Sequence, residues 1–178
     1  MTKSNFSPIT FSDVQIRLIQ ANDNPAIAQI IRTVMTEYEC VGEGYSINDP
    51  EVDQMFETYN NDRSAFFVLE DEEGLAGCGG IGPLANGDSS ICELKKMYFY
   101  RRLRGRGLGR KLIELCLDRA RQIGYKQCYL ETVDRMAEAN ALYQKVGFRK
   151  LSCPVGDTGH SSCDAYYSLD LFSPPSGP

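Results

Sequence analysis

Arg101-Arg102-Leu103-Arg104-Gly105-Arg106-Gly107-Leu108-Gly109-Arg110 sets five arginines and three alternating glycines between a strand-like run, Cys92 to Phe99, and a helix-like run, Leu108 to Ile123. Glycine lets the backbone turn sharply and approach a ligand with no Cβ in the way. Where such a turn opens a helix, unpaired N–H groups and the positive end of the helix dipole point at whatever binds there. Arginine forks add donors matched to phosphate oxygens. The stretch reads as a cradle for a pyrophosphate.

Two familiar phosphate motifs do not fit. A P-loop needs Gly, four residues, then Gly-Lys-Ser/Thr, but Gly105 is followed five positions on by Arg110, then Lys111-Leu112. The dinucleotide fingerprint needs a third glycine where Arg110 stands. The pattern that does fit is Arg102-x-x-Gly105-x-Gly107; taken alone, it leaves a basic solvated loop or a nucleic-acid patch as alternatives. Downstream come Tyr129-Leu130-Glu131-Thr132 and Ala139-Asn140-Ala141-Leu142-Tyr143-Gln144-Lys145-Val146-Gly147-Phe148. Gly147 has the character of the residue just past a helix end, and Phe148 then starts a strand.

These pieces together resemble the GCN5-related N-acetyltransferases (GNAT) over about residues 14 to 172. The Arg/Gln-x-x-Gly-x-Gly/Ala signature of that family holds the pyrophosphate of acetyl-coenzyme A, and its Ala-x-x-Leu-Tyr-x-x-x-Gly-Phe pattern follows at about this distance. The resemblance implies a single α/β (α+β) domain over 14–172, with a mixed, largely antiparallel sheet flanked by helices. Residues 1–13 are then an N-terminal arm and 173–178 a disordered tail. It implies acetyl-CoA as cosubstrate, bound by Met97, Tyr98, Phe99, Arg102, Leu103, Arg104, Gly105, Arg106, Gly107, Leu108, Gly109 and Arg110. Glu93 to Phe99 looks like the fourth strand of that fold, which parts from the fifth and frees backbone groups of Met97 and Phe99 for the pantetheine arm and the thioester carbonyl. One departure stands out: Met136 occupies the position, seven before the tyrosine, where the family commonly carries an Asn that contacts the coenzyme. Asn140 lies four residues later, on a different part of the helix.

Composition sets outer bounds. The chain has 178 residues, 42% hydrophobic and 24% charged, which suits one soluble globular domain. No apolar run reaches membrane length, and Met1-Thr2-Lys3-Ser4-Asn5 lacks the apolar core of a signal peptide, so a cytoplasmic protein with no membrane partner is expected. The seven cysteines (40, 78, 92, 116, 128, 153 and 163) include no C-x-x-C pair and fit a reduced compartment. His160, Cys163 and Cys153 lack a fourth partner and ligand spacing, so no metal is expected. A net charge of −5 argues against nucleic acid as a partner, despite the local cluster of arginines. A homodimer is left open.

The elements follow from periodicity and punctuation. Val14 to Ile19 alternates as a strand; Asn24-Pro25 opens a helix with Ile27, Ile30, Ile31 and Val34 inward. After the loop at Val41 to Tyr45, Asp49-Pro50 starts a second helix with Val52, Met55, Phe56 and Tyr59 inward. Ala65 to Leu69 and Leu75 to Ile81 form a hairpin whose Gly77, Gly79, Gly80 and Gly82 mark close backbone approach. Asn86-Gly87 turns into the fourth strand. Leu108, Leu112, Leu115, Cys116, Ala120 and Ile123 define a helix on the sheet. Strands near Phe148 to Leu151 and Ala165 to Leu171 close the order β-α-α-β-β-β-α-β-α-β-β.

Acyl transfer to an amine needs a held thioester, a neutral amine, oxyanion stabilisation and a protonated leaving thiolate. The resemblance makes Tyr143 the candidate general acid for the sulfur, the alternative being a buried aromatic on the last helical turn. Glu93 matches a position where some members keep a carboxylate base; the alternative is a strand carboxylate paired with Lys95. His160, in a polar Thr-Gly-His-Ser-Ser loop, is a substrate contact or a base. An amine would enter between Tyr38–Asp53 and the 157–164 loop, drawn by Glu37, Glu39, Glu43, Asp49, Glu51 and Asp53, although an acidic face is often only solvated. The expected function is acetyl-CoA-dependent N-acetyl transfer to a primary amine of a small molecule or peptide. The alternative is a catalytically weak acyl-CoA-binding or sensing module.

Overall fold

Val14 and Ile16 are fully buried on either side of exposed Gln15, and their strand is the second of eight in one sheet. The computed structural model describes residues 6–172. The strands are β1 (Ile9–Phe11), β2 (Val14–Leu18), β3 (Ala65–Asp71), β4 (Gly74–Pro83), β5 (Ile91–Phe99), β6 (Gln127–Thr132), β7 (Arg149–Leu151) and β8 (Ala165–Asp170). The helices are α1 (Asn24–Glu37), α2 (Met55–Tyr59), α3 (Leu108–Ile123) and α4 (Ala137–Val146). The sheet order is β1-β2-β3-β4-β5-β6-β8-β7, antiparallel throughout except between β5 and β6. This is the mixed, largely antiparallel sheet that the sequence predicts.

Both faces of the sheet are covered, which is why β3 reads as continuous apolar sequence instead of alternating. Phe66 and Val68 join Ile27, Ile30, Ile31 and Val34 of α1 on one face. Ala65, Phe67 and Leu69 join Leu112, Ile113 and Cys116 of α3 and Tyr143 of α4 on the other. Cys40, Cys78, Cys92, Cys116 and Cys128 are buried free thiols, and Cys153 and Cys163 are also unpaired.

Two elements differ from expectation. A turn through Ser12, at φ +58°, folds Ile9–Phe11 back on β2, so the expected arm contains an edge strand. The expected second helix is interrupted: Pro50–Asp53 is a 3-10 turn, and Gln54 (φ −136°, ψ 40°) leaves helical geometry before α2. Val52, Met55 and Tyr59 still face inward. Residues 1–5 of the arm and the tail expected over 173–178 lie outside the described residues.

Two irregularities in β5 shape the site. Its register against β4 slips between Cys78–Tyr98 and Gly80–Lys95, so Lys96 and Met97 together face Gly79. Lys96 takes φ +57°, and the result is a bulge. Glycine at position 79 leaves room there for the Met97 side chain, whose sulfur a Cβ would displace. On its other edge, β5 pairs with β6 only at Ile91–Gln127, Cys92–Cys128 and Glu93–Tyr129. Beyond Glu93 the two strands part.

Candidate active site

The arginine-glycine stretch leaves β5 through a 3-10 turn, Arg101–Leu103, anchored by buried Leu103. Gly105 (φ +71°) and Gly107 (φ +78°) then lie in the left-handed region that favours glycine. Gly107 is the residue before α3, and no side chain caps the helix. The first intrahelical bond joins Lys111 N–H to Gly107 C=O at 3.1 Å. The N–H groups of Leu108, Gly109 and Arg110 therefore have no partner within the helix and point out of its positive end. No atom outside the immediate turn lies within 4 Å of the Cβ position at Gly105. An open cradle of backbone donors at the end of a sixteen-residue helix fits a pyrophosphate.

Most of the arginine side chains in this stretch are tied to the protein. Arg102 holds Asp71 through two bonds of 2.7 and 3.2 Å. Arg106 pairs with Asp13, Arg101 with Glu37, and Arg104 with Glu37 at 2.9 Å and the Phe99 carbonyl at 2.7 Å. Arg110, well exposed, meets Glu114 one turn on. The arginines fix the turn, and its backbone is left to meet the ligand.

From this cradle a cleft of about 640 Å³ runs between the end of β5 and α4. Met97, Tyr98, Phe99, Leu103, Arg104, Gly105, Gly107, Gly109 and Arg110 line it, with Met136, Leu142 and Tyr143 opposite. Of the residues predicted to bind coenzyme, Arg102 and Arg106 point to their carboxylates and Leu108 is buried in the core. Met97, Tyr98, Met136 and Tyr143 also line a second, inner cavity of about 70 Å³. Glu93, Glu131, Lys96 and His160 lie on its far side. Glu93, Lys95 and His160 in turn line an outer cavity of about 460 Å³ beside Asp49 and Glu51.

Glu93 is 3% exposed and has no hydrogen bond or ion pair among the described residues. Burial pushes its carboxyl up to about 7, only partly opposed by Lys95 and His160. Lys95 is not its ion-pair partner, as its Nζ lies 3.2 Å from Glu51. Tyr143 is also buried, and burial raises its phenol well above the ordinary value. Its ring rests against Phe148 and Tyr167.

His160 sits with Nε2 at 3.0 Å from Asp49 and Nδ1 at 3.6 Å from Glu131. These two carboxylates raise it to about 9, so it is a cation at neutral pH and not a base. Asp49 and Glu131 are held below the ordinary carboxyl range: burial opposes this, but the bonds from His160 prevail, aided by Lys96 at Asp49 and by Tyr129 and Thr158 at Glu131. Three of the other loop acids are likewise engaged: Glu51 with Lys95 and Lys96, Asp53 with Arg32, and Glu37 with Arg104. The expected acidic funnel is therefore largely neutralised by internal cations.

Glu131 is the residue that sequence reasoning passed over. It accepts from Tyr129 Oη and Thr158 Oγ1, both at 2.7 Å, and it faces His160. The available signal was a carboxylate within the strand-like run Tyr129 to Thr132, two residues after Tyr129 and so on the same face. Asn140 has a structural task, donating to the Val133 and Met136 carbonyls and accepting from Tyr167 Oη. Met136 lines both cavities, where it offers a thioether instead of an amide. The nearest approach to a metal-ligating group among the described residues is Glu93, Glu131 and His160, a different set from the His160, Cys153 and Cys163 set aside on ligand spacing.

Comparisons with known proteins agree with this geometry. The profile of the acetyltransferase (GNAT) family matches residues 27–148. An Escherichia coli protein, the uncharacterized N-acetyltransferase YjgM, is 43% identical over 157 residues, spanning 88% of this chain and 94% of its own. Human N-acetyltransferase 8B is 33% identical over 91 residues, 49% of this chain and 39% of its own. A GNAT acetyltransferase from Staphylococcus aureus Mu50 superposes with a TM-score of 0.77 at 19% identity, covering 89% of this chain and 99% of that one. Salmonella typhimurium yncA, solved with its cofactor acetyl-CoA, gives 0.73 at 20% identity, over 94% and 100% of the two chains.

Proposed function

The chain belongs to the GNAT acetyltransferase family, and from that premise we propose that it transfers the acetyl group of acetyl-CoA to a primary amine by direct attack. The observation that carries this reading is the meeting of two cavities at Tyr143. One cavity begins at the phosphate cradle; the other ends at the unpartnered Glu93 carboxylate. Acetyl-CoA, when bound, supplies the acyl thioester.

The protein's own groups then have distinct tasks. The N–H groups of Gly105 to Arg110 hold the pyrophosphate, and the parted edge of β5 at Met97 to Phe99 leaves backbone donors for the pantetheine arm and the thioester carbonyl. Glu93, with its pKa at about 7, takes a proton from the acceptor ammonium at near-neutral pH. The amine nitrogen forms the new C–N bond as the C–S bond breaks. Tyr143 Oη, kept protonated by its burial, gives a proton to the leaving sulfur and recovers one from the new amide nitrogen.

The test is thiol release from acetyl-CoA with a panel of amines, comparing the wild-type chain with Tyr143→Phe. Loss of one oxygen should lower kcat by about 10²-fold or more while coenzyme affinity stays near normal. Full activity in the variant removes Tyr143 from the mechanism. A coenzyme-binding module with little turnover is the second reading, favoured by Met136 in place of the usual amide. It predicts coenzyme binding without thiol release for any amine.

A further inference from the structure

Glu93 and Glu131 come together where two strands part. Glu93 pairs with Tyr129 in the last rung between β5 and β6, and Glu131 lies two residues further along β6, on the same face as Tyr129. His160 reaches them from the loop before β8. A carboxylate oxygen of each glutamate and a ring nitrogen of His160 all lie within 4.8 Å of one another. The group is enclosed: Glu93 is 3% exposed, and the Glu131 and His160 side chains are 4% and 10% exposed. Lys95 and Lys96 are held by Glu51 and Asp49, and neither bonds Glu93. A buried carboxylate with no partner is costly until a positive charge meets it.

The atoms around the group are arranged as supports for ligands. His160 Nε2 faces Asp49 at 3.0 Å, which turns Nδ1 toward Glu131 Oε2 at 3.6 Å. Metal-binding histidines commonly donate their second ring nitrogen to a carboxylate in this way, which leaves the other nitrogen free to ligate. Glu131 accepts from Tyr129 Oη and Thr158 Oγ1, both at 2.7 Å, so its carboxylate is fixed as well. Bonds of ~2.0–2.2 Å in a tetrahedral shell put neighbouring ligand atoms ~3.3–3.6 Å apart. The His160–Glu131 pair already has that spacing, and Glu93 reaches it with a small side-chain movement. One imidazole and two carboxylates suit zinc and its transition-metal neighbours, and two negative charges balance a divalent ion. Glu93 and His160 also line the outer cavity, which gives an ion a way in. We infer that Glu93, Glu131 and His160 Nδ1 bind one divalent transition-metal ion, with a fourth position left for water. The ion takes the place of the ring proton between His160 and Glu131 and supplies the positive charge that Glu93 lacks. Metal binding and the proton transfer proposed for Glu93 exclude each other, so the metal-bound chain is an inhibited form; this consequence alone rests on the acetyl-transfer reading.

Zinc ion is the probe, titrated by calorimetry at pH 7 into the full chain after a chelator has been applied and removed. One ion per chain should bind, and Mg2+, which favours a shell of oxygens and water, should not. Glu93→Gln and His160→Gln should each weaken zinc binding by about 100-fold or more. Asp49→Asn, which removes only the support of the ring, should weaken it by about 10–100-fold. Zinc should also raise the thermal midpoint of the wild-type chain and leave that of folded Glu93→Gln where it was. The double variant Cys153→Ser with Cys163→Ser should keep the wild-type affinity. No zinc binding, or binding that survives both Glu93→Gln and His160→Gln, overturns the site. Loss of binding in the double cysteine variant assigns the ion to thiols and overturns it too. Acetyl transfer at full rate with one zinc bound overturns the inhibited form. A metal-free chain that transfers acetyl to no amine counts against the acetyltransferase reading and leaves the metal site standing on its own measurement.

Discussion

Glu93, the proposed base, departs from the rules that stabilise a fold. A buried carboxylate without a partner is costly, and its pKa of about 7 expresses that cost. Because the folded value lies above the unfolded one, near ~4.3, the folded state binds the proton more tightly. Stability is therefore lost as pH rises between the two values. Glu93→Gln should stabilise the protein at pH 8 by about 1–3 kcal/mol, measured by urea unfolding, while slowing acetyl transfer by about 10²–10⁴-fold. In the wild-type protein kcat/KM should climb as pH rises through about 7, and the variant should lack that limb. A variant that keeps both the rate and the climb would show that the acceptor loses its proton elsewhere. The Asn140 side chain shows the opposite case. Its sequence position is close to the family's coenzyme contact, yet its bonds to Val133, Met136 and Tyr167 make it a brace between α4 and the sheet.

At the scale of elements, the site consists of two places where regular structure stops. The β5–β6 ladder ends after Glu93–Tyr129, and α3 begins after a left-handed glycine with its first donors unpaired. Both leave backbone groups without intramolecular partners, which a ligand can satisfy. Gly107→Glu tests the second. It adds a carboxylate beside the cradle and places a side chain at φ +78°, a conformation that L residues rarely adopt. The variant should lose acetyl-CoA binding by calorimetry yet stay folded, because only Phe11 Cζ lies as near as 4.0 Å to the new Cβ. Unchanged affinity in the folded variant would remove the turn from the site.

At the scale of the whole molecule, the acceptor side is closed by contacts between segments more than a hundred residues apart. His160 meets Asp49, Ser162 N–H donates to the Gly44 carbonyl, and Ser162 Oγ donates to that of Glu43. Gly44 sits so close to Ser161 and Ser162 that a Cβ would meet their hydroxyls at 2.6 Å. The raised His160 pKa makes this closure depend on pH. Its contribution is fully present below the unfolded value near 6.5 and is lost as pH rises through about 9. The depressed Asp49 and Glu131 carboxyls act in the opposite sense, contributing above the ordinary carboxyl range and losing that contribution in acid. Stability by urea midpoint should therefore fall between pH 7 and 10 in the wild-type protein and fall less in His160→Gln. Equal slopes in the two proteins would show that the imidazolium does not bind the loops.

The sequence by itself determined the order of the elements from Val14 onward, apart from the break in the second helix, together with the glycine turn and the helix that carries Tyr143. Each is a local matter: apolar period, glycine at the φ of a turn, and a motif within a few residues. Helix α3 runs over the residues its pattern predicts, and Gly147 at φ +113° ends α4 as expected. The tertiary structure alone decided which charges were already spent. Arg101, Arg102, Arg104 and Arg106 look free in sequence, yet they pair with Asp13, Glu37 and Asp71, and His160 is bound by acids at positions 49 and 131. It also decided that Glu93 is left unpaired while its strand neighbour Lys95 turns to Glu51. Charge pairing depends on distance in space, and separations of up to a hundred residues or more carry no periodic or local signal along the chain.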